Sequence, residues 1–137
     1  MFVSEEGLQK YSGVRVLLVE DNLLNQEVAR FMLEDFGLVV DVAENGERCL
    51  ELLNSANGNY ALIFMDMQMP VMDGLSATIE MRKLEALAAL PVVAMTANVM
   101  PEDKRRCLAA GMNDFICKPI MPEAISAVLE KWIDNKS

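Results

Sequence analysis

Histidine is absent from this chain of 137 residues. That excludes a histidine base, nucleophile or metal ligand from within it. Any phosphohistidine in its chemistry has to come from another polypeptide or a further domain. Cysteine is scarce: Cys49, Cys107 and Cys117 are odd in number and widely spaced. No disulfide framework follows from them, and they read as reduced core or half-buried residues of a cytosolic protein. No apolar run approaches the roughly 20 residues that span a bilayer. The opening Met1-Phe2-Val3-Ser4-Glu5-Glu6 lacks the basic region and apolar stretch of a secretory signal. Positive charge is in the minority, with 12 Lys and Arg against 21 Asp and Glu, a net −9. Such a balance argues against non-specific binding to nucleic acid or to anionic membrane.

What the chain has is apolar content, 53% of its residues, in a length that suits one domain with a sizeable core. Residues 1–13 show no period and are expected to be a linker or arm, with the domain proper over 14–137. Val14–Val19 is a continuous apolar strand, and Asn22 can cap a helix running to about Phe36. Val28, Phe31, Met32 and Leu33 supply that helix's apolar stripe, and Gly37 suits a left-handed stop. Leu38–Ala43 is the second strand, and Gly46 to about Ser55 a short helix. After an Asn57-Gly58-Asn59 turn, the third strand runs from Tyr60 and ends at Asp66. A loop, Met67 to Gly74, leads into a helix from about Leu75 to Ala88. Pro91–Thr96 is strand four, Pro101 to about Ala110 a helix stopped by Gly111, Asp114–Cys117 strand five, and Pro122 to about Ile133 the last helix.

Strand and helix thus alternate five times, which predicts an α/β fold with a parallel sheet covered on both faces. In such open sheets ligands bind beyond the carboxyl ends of the strands. The residues that carry chemistry fall on that edge. Glu20 and Asp21 follow strand one, Asp66 closes strand three, Thr96 closes strand four, and Lys118 follows strand five. Carboxylates at the ends of buried strands need a compensating charge. A small hard cation such as Mg²⁺, with Mn²⁺ as a substitute, takes oxygen ligands. Asp21 and Asp66 can coordinate directly, Glu20 can hold a bound water, and the backbone carbonyl of Gln68 can add an oxygen. Asp66 is the candidate nucleophile, since a carboxylate can accept a phosphoryl group. Lys118 and the cation would neutralise the transferring oxygens, and the Thr96 hydroxyl can donate to one of them. Taken singly, each residue has a plainer reading: Glu20-Asp21 as a solvated strand end, Lys118 as surface, Thr96 as a backbone-bonded hydroxyl, Asp73-Gly74 as a turn.

At these residues the chain resembles the receiver domain of two-component response regulators, over nearly everything from Val14 to about Trp132. The resemblance rests on Glu20-Asp21, on Met65-Asp66-Met67-Gln68-Met69-Pro70-Val71-Met72-Asp73-Gly74, on Thr96-Ala97 and on Lys118-Pro119, in order. The wording from Val19 to Val28 looks most like receivers attached to hybrid sensor histidine kinases. The resemblance implies a flavodoxin-like three-layer sandwich with strand order 2-1-3-4-5. It implies autocatalytic, Mg²⁺-dependent transfer from a phosphohistidine to Asp66, with self-dephosphorylation tuned by Gln68 and Asn98. It implies a cis peptide between Lys118 and Pro119. A switch follows too: Thr96 moves toward the phosphoryl group, Phe115 turns inward, and the face of the fourth helix, fifth strand and fifth helix changes shape. Phe115 as plain core filler is the alternative. The expected partners are a histidine kinase or a histidine-containing phosphotransfer protein, without direct nucleic-acid or membrane contact, in a monomer or weak dimer. The expected setting is cytoplasmic, as a stand-alone receiver or as the cytoplasmic part of a larger kinase, a membrane-bound sensor kinase among the alternatives.

Three other functions fit less of the pattern. A haloacid-dehalogenase-like phosphatase needs a second aspartate two places after the nucleophile, where this chain has Gln68. A flavodoxin-like FMN carrier needs hydroxyls and amides in its first loop, where Glu20 and Asp21 would repel an anion. A degenerate receiver that binds partners without phosphorylation differs in behaviour, not in composition.

Overall fold

The short apolar runs form parallel strands β1 (Arg15–Val19), β2 (Val39–Ala43), β3 (Leu62–Asp66), β4 (Val92–Thr96) and β5 (Asp114–Cys117). Between and after them lie helices α1 (Leu23–Glu34), α2 (Gly46–Leu53), α3 (Gly74–Arg82), α4 (Pro101–Ala110) and α5 (Pro122–Trp132). This computed structural model describes residues 11–55, 59–67, 74–83, 90–97, 101–118 and 120–133. The sheet runs β2-β1-β3-β4-β5 with every neighbouring pair parallel, the order expected. The inner strands β1, β3 and β4 are largely buried apolar runs because both sheet faces are covered there, while the edge strands β2 and β5 are more exposed.

Alternation along the strands sorts the core into two layers. Val16, Leu18, Phe64 and Met95 face α1 and α5, where Ala29, Leu33, Ile125 and Leu129 meet them. Leu17, Val19, Ile63 and Met65 face the other way, toward Cys49, Ala77, Met81 and Cys107 of α2, α3 and α4. Among the described residues no helix is long and apolar enough to cross a membrane.

Helix α1 departs from expectation. Its N-cap is as read, with Asn22 Oδ1 accepting from the Asn25 amide at 3.0 Å. Its packing face is not. Ala29 and Leu33, followed by Phe36, are buried, whereas Val28 and Phe31 stand 47% and 74% exposed. Apolar residues occupy both sides of this helix, and the small Ala29 lets it sit close to the sheet. The cysteines need a similar correction, since Cys49 and Cys107 are buried but Cys117 is exposed. Tyr11, ahead of the expected boundary at Val14, is buried and packs edge-on against Phe36, and the Gly13 amide donates to the Gly37 carbonyl.

One clamp sits at the amino-terminal end of β4. Arg82, at the end of α3, donates from Nε and Nη2 to the Gly111 carbonyl (3.0 and 2.8 Å) and from Nη2 to Asn113 Oδ1 (2.8 Å). Asn113 Oδ1 also accepts from the Val92 amide at 2.9 Å. Gly111 adopts φ +108°, and a Cβ there would stand 2.7 Å from the Arg82 side chain, so only glycine admits the clamp. Arg82→Met keeps the apolar stem and leaves the Gly111 carbonyl without its charged donor. It is expected to lower the unfolding free energy by about 2–3 kcal/mol in urea denaturation followed by circular dichroism.

Candidate functional site

The parallel register decides where the acids meet. Val19 pairs with Met65, so Glu20 and Asp66 lie one residue further at the same level and point to the same side. Asp66 in turn pairs with Met95, which puts Thr96 at the neighbouring strand end. Carboxylate oxygens of Glu20, Asp21 and Asp66 all lie within 4.8 Å of one another. Glu20 and Asp66 are buried, each 3% exposed, and Asp21 is exposed.

Lys118 completes the group. Its Nζ donates to Asp66 Oδ1 at 3.1 Å and lies 3.6 Å from Glu20 Oε1. Its backbone amide donates to the Thr96 carbonyl at 2.8 Å, tying the lysine to the end of β4. Glu20 is held on several sides. Its amide donates to the Ala43 carbonyl (3.0 Å), its Oε2 accepts from the Asn22 amide (3.2 Å), and its carbonyl accepts from Gln26 Nε2 (2.6 Å). Burial pushes the Glu20 carboxyl up to about 7, and Asp66 alongside adds to the rise; the Asn22 amide and the Lys118 ammonium act against it. Among the described residues, three carboxylates and the Lys118 ammonium leave two negative charges when all are ionised. An all-oxygen donor set with that deficit suits a hard divalent cation.

Thr96 is half-buried and the following Ala97 is exposed, so small residues leave the mouth open. Phe115 is half-buried against the α2–α3–α4 layer, with Lys104 Nζ 5.9 Å from its ring centroid. Gln68, Asn98 and Pro119, and with Pro119 the expected cis peptide, lie outside the described residues.

Two features escaped the sequence reading. Gln26 reaches back to the Glu20 carbonyl, and nothing in its spacing signalled that contact. A groove of about 670 Å³ opens beside the acids, lined by Glu20, Leu24, Val28, Met32, Lys118 and Met121. Leu23, Leu24, Val28 and Phe31 expose apolar surface along this side of α1. The signal available was an apolar stripe wider than one core face needs.

Comparison with known proteins agrees with this geometry. The family model for the response regulator receiver domain matches residues 16–130. The chain is 41% identical over 130 residues to hybrid signal transduction histidine kinase K of Dictyostelium discoideum, covering 90% of this chain and 11% of that kinase. It therefore spans about a tenth of that relative's length. It resembles the receiver domain of a Pseudomonas aeruginosa sensor histidine kinase, crystallised with a magnesium ion in its active-site cleft. There the TM-score is 0.80 and the identity 38%, covering 90% of this chain and 99% of that one. The receiver domain of Saccharomyces cerevisiae Ssk1, crystallised with the histidine phosphotransfer protein Ypd1, matches with a TM-score of 0.80 and 31% identity. That match covers 89% of this chain and 90% of the other.

The buried Glu20 carboxyl has a consequence for stability. Its folded value, about 7, lies above its ordinary 4.5, so the folded state holds the proton more tightly. Stability of the metal-free protein therefore falls as pH rises from about 4.5 to 7, by this group's contribution. Glu20→Gln removes the charge and is expected to raise the melting temperature in EDTA more at pH 8 than at pH 5. Thermal unfolding of both proteins at the two pH values checks it.

Proposed function

We propose, from the premise that this chain belongs to the response regulator receiver domain family, that Asp66 is its phosphoacceptor. As a receiver domain of a two-component phosphorelay, it takes a phosphoryl group from a phosphohistidine. The donor is a histidine kinase or a histidine-containing phosphotransfer protein. The observation that carries the assignment is the Lys118 ammonium 3.1 Å from a buried Asp66 carboxylate, with two further acids beside it.

That geometry supports the following step. An Asp66 carboxylate oxygen attacks phosphorus, the O–P bond forms, and the P–N bond to imidazole breaks. The imidazole leaves with the electron pair and takes up a proton from water. Lys118 follows the charge as it moves onto the phosphoryl oxygens, and the Thr96 hydroxyl donates to one of them. Mg²⁺, or Mn²⁺ in its place, would be held by Asp21 and Asp66, with Glu20 behind a bound water, and supplies further positive charge against those oxygens. The Gln68 carbonyl is the third direct protein ligand in this reading, and Gln68 and Asn98 tune hydrolysis. Thr96 and Phe115 form the switch toward α4, β5 and α5. The packing of Phe115 under Lys104 and the Lys118–Thr96 backbone bond support a path from the site to that face.

The exposed apolar side of α1 supports a protein donor. A small phosphodonor has no use for Leu24, Val28 and Phe31, whereas a protein carrying phosphohistidine would cover them. The likeness to a hybrid kinase supports a parent protein of that kind.

Intact mass after incubation with Mg²⁺ and acetyl phosphate is expected to show one added phosphoryl group. Asp66→Asn and omission of Mg²⁺ should each abolish it, and a gain that survives Asp66→Asn would overturn the assignment. Phe31→Asp is expected to slow transfer from a phosphorylated phosphotransfer protein at least about tenfold while leaving the acetyl phosphate rate unchanged. Quench-flow measurement with both donors separates the two effects.

A further inference from the structure

Gln26 is tied to the site without belonging to the acid group. It lies half-buried where the first turn of α1 closes, six residues after Glu20. Its Nε2 donates to the Glu20 carbonyl at 2.6 Å, while its own amide donates to the Asn22 carbonyl at 2.9 Å. That carbonyl belongs to the peptide joining Glu20 to Asp21. The orientation of this one peptide plane sets the directions in which both acid side chains leave the backbone. On its other side Glu20 is held by the sheet, through its amide and the Ala43 carbonyl. β1 has ended at Val19, so the Glu20–Asp21 peptide lies past the strand, and a side chain from the following helix secures it.

The contrast between the two acids shows why this matters. Glu20 is buried and constrained by Asn22 and Lys118. Asp21 is exposed and stands at the open rim. Its carboxylate converges on Asp66 and Glu20 because its Cα is placed correctly, and that placement depends on the peptide before it.

We propose that Gln26 is a positioning residue for the divalent cation: it fixes the Glu20–Asp21 peptide so that the three carboxylates face one point before the ion arrives. The inference rests on the receiver reading of the site and deepens it. Removing the donor lets the peptide rotate, and the ion then has to order it on binding. Metal affinity falls, while the reacting group at Asp66 and Lys118 is untouched once the ion is bound.

The test is calorimetric titration of Mg²⁺ into the wild-type chain, into Gln26→Met, which has similar reach and no donor, and into Gln26→Glu, whose carboxylate only accepts. Both variants are expected to bind Mg²⁺ about tenfold more weakly. Their phosphorylation rate by acetyl phosphate at saturating Mg²⁺ should equal that of the wild type. A merely structural bond would lower the melting temperature and leave the Mg²⁺ affinity of the folded protein alone, so a loss below about threefold overturns the proposal. Should either variant fail to fold, the wild-type protein still decides. Its Gln26 side-chain amide protons are expected to be slowed in exchange and to shift on Mg²⁺ addition with the midpoint of the titration; resonances that exchange freely and ignore the metal overturn it. Absence of Mg²⁺ binding in the wild type overturns the receiver reading and this inference together, whereas normal wild-type binding with unaltered variants overturns this inference alone.

Discussion

Lys118 Nζ stands 3.1 Å from one buried carboxylate and 3.6 Å from another, and the carboxyl-terminal edge of the sheet is organised around that contact. Two acids that are only 3% exposed need a nearby positive charge, or one of them keeps its proton. The lysine answers part of this need, which is why Glu20 still holds its proton up to about neutral pH. The remaining deficit suits a hard divalent cation, whose charge would in turn favour an incoming phosphoryl group. Strand order, register and the helix after β1 are the means by which chain segments about 50 residues apart are brought to this one point.

Much of this was legible beforehand because a parallel sheet has simple rules. Apolar runs bounded by turn residues gave the five strands. Since the three inner strands are largely buried, the polar residues at their carboxyl ends mark the edge, and with the alternation of strands and helices Glu20, Asp66, Thr96 and Lys118 could be placed together. The family resemblance added the strand order and the roles. The outer face of α1 was misjudged for a physical reason. Val28, Phe31, Met32 and Leu33 all count equally in a periodicity, yet of these only Leu33 is fully buried, and it shares the contact with the sheet with the small Ala29.

Contacts from long polar helix side chains to backbone carbonyls were not legible at all. Gln26 and Arg82 each bond to a backbone carbonyl in another segment, one at each end of the sheet. Such bonds depend on how helices settle after packing, and a glutamine or arginine on a helix reads in sequence as solvated surface. Gly111 is a partial exception. A glycine after a helix suggests a stop, and it is one, with φ +108°; its second duty, leaving room for Arg82, is visible only in three dimensions.

The Arg82 clamp has a mechanical meaning. It grounds the starts of β4 and β5 at Val92 and Asn113, about 13 Å along the strand from Thr96 at a rise of roughly 3.3 Å per residue. A beam fixed at one end bends most at the other. Were Thr96 drawn toward a phosphoryl group, the displacement would be easier at the carboxyl-terminal ends, where the Lys118 amide donates to the Thr96 carbonyl, than at the clamped amino-terminal ends. Arg82, at the end of the sheet away from the acids, would thereby give the two ends of β4 and β5 unequal freedom to move.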